Sequence, residues 1–289
     1  MNLKALKILG RKVEIRLRKW RYSPAKFLAD EVCKQHRHIT KLGTPYGGWS
    51  YVQDDSLRRS WVVLCGAGTD VSFDLALQAK YDCNIIIVDP TPRAVEHFDL
   101  MKSSVVTGDK VAIGDSSGDF YDIDCVDFSK IHFIANAVWT ENAVVRFWIP
   151  FDESHVSHSI TNYQKTSQYI EVEAITLNDI ISRCGLSERE IALVKLDIEG
   201  AEIRVIEWMC ENRFFPKQIL VEFDELNFPN KHTVTRVRRA IGQLERAGYR
   251  LAHFDGRSNC SFVREANSLA KFAIAELPAA AQDSAHEHP

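Results

Sequence analysis

Three stretches of this chain pair reactive residue types with a spacing that chemistry can use. The first is Cys65-Gly66-Ala67-Gly68-Thr69-Asp70, which follows the apolar run Trp61-Val62-Val63-Leu64 and precedes the helical pattern Val71, Phe73, Leu75, Ala76, Ala79. A glycine-bearing turn between strand and helix lets backbone approach a ligand with no Cβ in the way, and the helix start supplies free N–H groups. Gly66, Ala67 and Gly68 are therefore candidate binding positions, with Asp70 and Ser72 on the same turn; helix capping is the alternative for Asp70. The second stretch is Asp89-Pro90, which closes the apolar run of residues 83–88 and places a carboxylate 21 residues after Gly68. A carboxylate there can accept hydrogen bonds from ribose hydroxyls, which points to an adenosine-bearing cofactor, or it can cap the helix that begins near Pro92.

The third stretch is acidic. Asp197, Glu199 and Glu202 follow the buried-strand run of residues 191–196, and Glu222 ends the run of residues 218–222. Carboxylates at strand ends can accept a proton from an acceptor hydroxyl or hold a divalent metal, and the metal is left open. For Glu199 and Glu202 the competing reading is favourable pairing with a helix N-terminus. His155 and His158 stand three apart in a polar stretch and supply an alternative base or metal ligand.

These residues have to be brought together by a fold. Residues 61–65, 83–88, 131–138, 191–196 and 218–223 read as near-continuous apolar strands, and helical patterns follow several of them at residues 71–79, 93–101 and 200–210. Repeated strand–helix units of this kind argue for an α/β fold with a mostly parallel sheet covered by helices on both faces. In open parallel sheets ligands bind beyond the carboxyl ends of the strands, so the glycine turn, Asp89, Ala137 and Asp197 should converge on one crevice. Residues 232–248 read as a helix with a basic face, and residues 249–254 and 260–263 as a closing antiparallel hairpin.

The composition, 45% hydrophobic and 26% charged, is that of an ordinary globular protein and excludes collagen-like, disordered and membrane-embedded classes. The net charge of −3 hides a basic head, since residues 1–41 carry twelve Lys and Arg against three Asp and Glu. Residues 1–43 are read as a helical segment packing one face on the domain, with contact to an anionic membrane surface or an acidic partner as the rival reading. Residues 44–275 form the main domain and residues 276–289 a disordered tail. With no run of eighteen apolar residues and no secretory pattern at the N-terminus, a cytoplasmic location is expected. Seven dispersed cysteines without a Cys-x-x-Cys pair indicate neither a disulfide framework nor a zinc site. An acidic catalytic region without basic–aromatic interleaving argues against nucleic acid as partner.

The cofactor class rests on details. A dinucleotide fingerprint would put its third glycine at Val71, whose side chain opposes close helix–strand packing, so a nicotinamide-dependent oxidoreductase is the weaker reading. The run Lys195-Leu196-Asp197-Ile198-Glu199-Gly200-Ala201-Glu202 resembles the signature of FkbM-type methyltransferases. The resemblance extends over roughly residues 45–225, through Gly47-Gly48-Trp49, the turn of residues 66–74, Val88-Asp89-Pro90-Thr91-Pro92, residues 156–160, Thr176-Leu177-Asn178-Asp179 and Val221-Glu222-Phe223. It implies a Rossmann-like class I methyltransferase fold and transfer of a methyl group from S-adenosylmethionine, usually to a hydroxyl of a sugar, glycan or natural-product acceptor. Gly66, Gly68 and Asp89 match its cofactor positions, and Asp197, Glu199 and Glu202 its acidic signature; Asp197 or His158 is then the proton acceptor. One departure is Leu64, where many methyltransferases carry an acid two residues before the first glycine. A catalytically silent interaction module acting through the basic head is the remaining alternative.

Overall fold

The computed structural model of the chain describes residues 21–29, 32, 38–114, 118–148, 167–227 and 229–265. A short helix α1 (Ala25–Leu28) precedes a hairpin of β1 (Ile39–Leu42) and β2 (Trp49–Val52). The main sheet begins with β3 (Trp61–Cys65), helix α2 (Ser72–Tyr81), β4 (Asn84–Val88), helix α3 (Pro92–Thr107) and β5 (Ile131–Ile134). After an excursion through β6 (Ala137–Val138), β7 (Ala143–Trp148), β8 (Tyr169–Ile175) and α4 (Leu177–Arg183), the chain returns to the sheet. It completes the sheet with β9 (Ile191–Leu196), α5 (Glu202–Glu211), β10 (Gln218–Glu222), α6 (Lys231–Arg246), β11 (Tyr249–Phe254) and β12 (Asn259–Arg264).

Seven strands lie in the order β11-β12-β10-β9-β3-β4-β5, in which β12 runs antiparallel to both neighbours and the other neighbouring pairs are parallel. The apolar runs are continuous because both faces are covered. Val63, Cys65, Ile86, Val88, Val194, Leu196, Ile219 and Val221 point into one core with Ile206 of α5 and Val237 and Leu244 of α6. The alternating residues Val62, Leu64, Ile85, Ile87 and Leu193 point into a second core with Phe73 and Leu77 of α2 and Phe98 and Met101 of α3. Each fully buried aliphatic side chain contributes about 1.5–3 kcal/mol, which makes register slippage by one residue prohibitive.

That register levels the strand ends. Cys65 pairs with Val88 and with Leu196, Val88 with Ile134, and Val221 with Leu196. Gly66, Asp89, Asp197 and Glu222, each one residue further on, consequently stand side by side along one rim. The chain steps outward from β3 to β4 to β5 and then crosses back to β9 on the other side of β3, so the topological switch point falls between β3 and β9.

Two elements depart from the sequence reading. Residues 131–138, expected as one strand, break after Ile134. Ala137–Val138 instead pairs with β8 in a separate three-stranded sheet, and Ala137 is buried there with Phe147 and Ala174. Asn136 makes the break, donating through Nδ2 to the Glu173 carbonyl and accepting from Arg183 through Oδ1. Helix α3 also runs six residues beyond Met101 before Gly108 ends it in a left-handed conformation. In the basic head, Phe27 and Leu28 of α1 enter the first core and Arg238 lies over the Phe27 ring at 4.7 Å; residues 1–20 lie outside the described residues.

Candidate active site

The glycine turn is built against β9. Gly66 has φ +85°, and a Cβ on it would stand 1.7 Å from the Asp197 carbonyl oxygen, so only glycine lets the two rim segments meet. Gly68 is left-handed as well, but a Cβ there would meet nothing within 4 Å. Its open face is space that a ligand can occupy.

Asp89 is buried at the end of β4 and acts as the acceptor that shapes this turn. Its Oδ2 accepts from the N–H groups of Ala67 at 2.8 Å and Gly68 at 3.0 Å, and its Oδ1 accepts from the Thr91 N–H at 2.8 Å and hydroxyl at 2.6 Å. Four donors match the roughly four lone-pair sites of a carboxylate. A ribose hydroxyl donating to Asp89 must share an oxygen with one of them or replace it. Pro90 follows, half-buried, and Thr91 opens α3. Asp89 thus turns the chain into the helix, with Thr91 rather than Asp89 at the N-cap position.

Asp70 and Ser72 are engaged differently from the expectation that they face a cofactor. Asp70 Oδ2 accepts from the Thr44 hydroxyl at 2.6 Å and the Gly47 N–H at 3.2 Å, while Ser72 Oγ accepts from the Thr44 N–H at 2.9 Å. Both side chains fasten the β1–β2 loop to the glycine turn. The loop carries Tyr46 with its ring 89% exposed. Its hydroxyl nevertheless faces carboxylates: partial burial, then Asp197, Glu199, Glu222 and Asp70, hold the phenol above its ordinary value.

Across the rim lies a group of acids. Asp197 and Glu222, after neighbouring parallel strands, are hydrogen-bonded carboxyl to carboxyl. Burial and then Glu222 push Asp197 well above the usual carboxylate range, with Lys195 acting in the opposite direction. Glu222 also accepts from the Ser258 hydroxyl at 3.0 Å. Glu199 and Asp224 form a second carboxyl pair, in which burial followed by Glu199 and Glu222 raises Asp224 to about 8. Glu199 adopts φ +53°, a strained conformation for a non-glycine residue, beside Gly200 at +97°. Glu202, fully buried, maintains that turn by accepting from the N–H groups of Ile198 at 2.9 Å and Gly200 at 3.0 Å. Its role here is structural, and burial and then Asp224 raise its carboxyl well above the ordinary value.

Among the described residues no trio of His, Cys, Asp or Glu is arranged to hold a metal ion. His155 and His158 lie outside the described residues. Lys195, Tyr46, Asp224 and Ser258 are site residues to which the sequence reading gave no role. Lys195 had a visible signal, a lone charge inside a strand that is otherwise apolar. Asp224 stands two residues past Glu222, and the solitary Ser258 carried no signal at all.

The fold and rim define an α/β enzyme with a ligand crevice at its switch point, a glycine turn on one side and a carboxyl cluster on the other. The chain belongs to the methyltransferase FkbM domain family, whose model matches residues 64–251, from β3 into β11. Tyr46 and Ser258 lie outside the matched region. None of the curated proteins matches. Solved structures similar to this chain include monomeric WbdD, at 12% identity over 72% of this chain and 36% of that one, with a TM-score of 0.39. The SAH-bound Podospora anserina methyltransferase PaMTH1 is 9% identical over 71% of each chain, with a TM-score of 0.33. M. jannaschii TYW2 in complex with AdoMet is 10% identical over 81% of this chain and 90% of that one, with a TM-score of 0.32. The chain spans about a third of the length of WbdD, 36%. No helix among the described residues is long and apolar enough to cross a membrane.

Proposed function

We propose that this protein is an S-adenosylmethionine-dependent O-methyltransferase acting on a hydroxyl of a sugar, glycan or natural-product acceptor in the cytoplasm. The observation that carries the reading is the Asp197–Glu222 carboxyl pair one strand away from the glycine turn. Family membership favours it over the nicotinamide alternative, as does the bulk of Val71 where a dinucleotide turn wants glycine.

The site fits the cofactor. Gly68 leaves an open face, Asp89 offers a carboxylate at the place a ribose would reach, and the acidic rim suits a ligand that carries positive charge. When bound, adenosylmethionine supplies an activated methyl group on a sulfonium. The turn of residues 66–68, with Asp89 and Pro90, would hold its adenosine part. Burial and the neighbouring Glu222 hold the Asp197 carboxyl well above the usual carboxylate range, because a like charge beside it disfavours its ionisation. Once ionised, Asp197 accepts the acceptor hydroxyl's proton, and a carboxylate with a raised value is a stronger base for that task. The exposed Tyr46, on the β1–β2 loop, forms a side of the acceptor entrance.

Isothermal titration with adenosylmethionine and adenosylhomocysteine tests the first step. Micromolar affinity is expected, and a folded protein that binds neither refutes the reading. A silent interaction module would instead retain partner binding without cofactor and lose it on deletion of residues 1–41.

A further inference from the structure

One buried cation on the rim acts on Asp197 electrostatically and also makes contacts of its own with the glycine turn. Lys195, 2% exposed in the middle of β9, turns its side chain away from Val194 and Leu196 toward α2 and the glycine turn. Its Nζ donates to the Gly66 carbonyl oxygen at 2.7 Å, stands 4.0 Å from Asp74 Oδ2, and lies 5.8 Å from the centre of the Trp49 ring. Asp74, on the first turn of α2, is 1% exposed, and neither carboxylate oxygen has a hydrogen-bond partner. The ammonium is its counter-charge.

The Gly66 carbonyl and the Ala67 N–H belong to one planar peptide unit, and they point in opposite directions. Lys195 takes the carbonyl and Asp89 takes the N–H. The plane is therefore gripped from both sides, and rotating it breaks two charge-assisted hydrogen bonds at once. Gly66 needs such a grip, because a glycine at φ +85° has little intrinsic preference for that conformation over others.

The geometry points to Lys195, with Asp74 as its counter-ion, as a positioning residue that fixes the Gly66–Ala67 peptide so that the turn and Asp89 stand ready for the cofactor. This rests on the proposed cofactor reading for its binding consequence, but its effect on the turn is independent of any ligand. Removing only the ammonium strands a buried carboxylate, so the informative variant removes both charges: Asp74→Asn combined with Lys195→Met.

Amide hydrogen exchange at Ala67 and Gly68 in the ligand-free full chain, alongside thermal unfolding and titration with adenosylhomocysteine, makes the test. The double variant should unfold cooperatively, exchange these two amides at least about tenfold faster than the parent while the amides of β4 stay unchanged, and bind at least about tenfold more weakly. Lys195→Arg, which retains a donor, should recover part of both losses. A folded double variant with exchange and affinity within about twofold of the parent overturns the assignment. Loss of cooperative unfolding in both the double variant and Lys195→Arg overturns it too, by making the pair a general support of the fold. A parent protein that binds no adenosylhomocysteine refutes the cofactor reading alone, and the exchange rates then decide the role of Lys195.

Discussion

Asp197 and Glu222 are hydrogen-bonded carboxyl to carboxyl across two neighbouring parallel strands, and burial followed by Glu222 holds Asp197 well above the usual carboxylate range. The β9–β10 register, with Leu196 opposite Val221, brings them together, and Ser258, just before the antiparallel β12, donates to Glu222. The raised Asp197 carboxyl makes this pair the most chemically distinctive feature of the rim.

Replacing Asp197 with Asn should abolish methyl transfer and leave cofactor affinity within a few-fold of the parent, because it removes the proton-accepting carboxylate while the glycine turn meets the backbone and Cβ of residue 197, which Asn retains. Single-turnover assays beside calorimetry separate the two effects. In the parent, turnover should rise with pH as Asp197, held above the ordinary carboxylate range, loses its proton. Unaltered rates in the variant would remove Asp197 from the mechanism.

Asp224 predicts a pH-dependent stability. Its folded value of about 8 lies far above the ordinary 3.8, so the folded protein holds a proton that the unfolded chain releases. The stabilisation is complete below the ordinary value and is lost as pH rises toward 8. Asp224→Asn should therefore raise stability less at pH 5 than at pH 9, where the gain should be about 1 kcal/mol or more. Thermal unfolding at the two pH values checks this, and an equal shift at both would contradict it.

The two glycines of the turn should respond differently to alanine. Gly66→Ala drives a methyl into the Asp197 carbonyl and should prevent folding or cost several kcal/mol. Gly68→Ala meets open space, so its stability cost should be only the roughly 1 kcal/mol of a left-handed alanine. If a ligand fills that space, its affinity should fall by clearly more than this. Urea unfolding and calorimetry on the same samples measure both.

Asp70 ties the β1–β2 loop to the turn through Thr44 and Gly47, so Asp70→Ala should lower stability by about 1–3 kcal/mol. It should also open residues 43–48 to proteolysis. Limited digestion with mass-spectrometric mapping reports the second effect, and protection equal to the parent would show that the loop stands without this anchor.

The order of apolar runs and helical patterns was enough to read the α/β class, the parallel sheet, the closing hairpin and the position of the glycine turn. All of these follow from local periodicity and from the backbone needs of Gly66 and Gly68. The resemblance carried by residues 195–202 identified the family, but not the separate tasks within it. Glu202 proved to hold a turn, and Lys195 to hold the peptide beside it. Asp70 and Ser72 read as ligand groups, with helix capping as the alternative for Asp70; Asp70 accepts from the Ser72 N–H, and Thr44 and Gly47 reach the two side chains from a separate hairpin. Ala137 left the main sheet because Asn136 finds its hydrogen bonds in α4 and β8. Pairings between residues distant in sequence depend on which strands become neighbours and in what register. A single sequence states the local preferences, and the packed sheet alone decides which acids come close enough to touch.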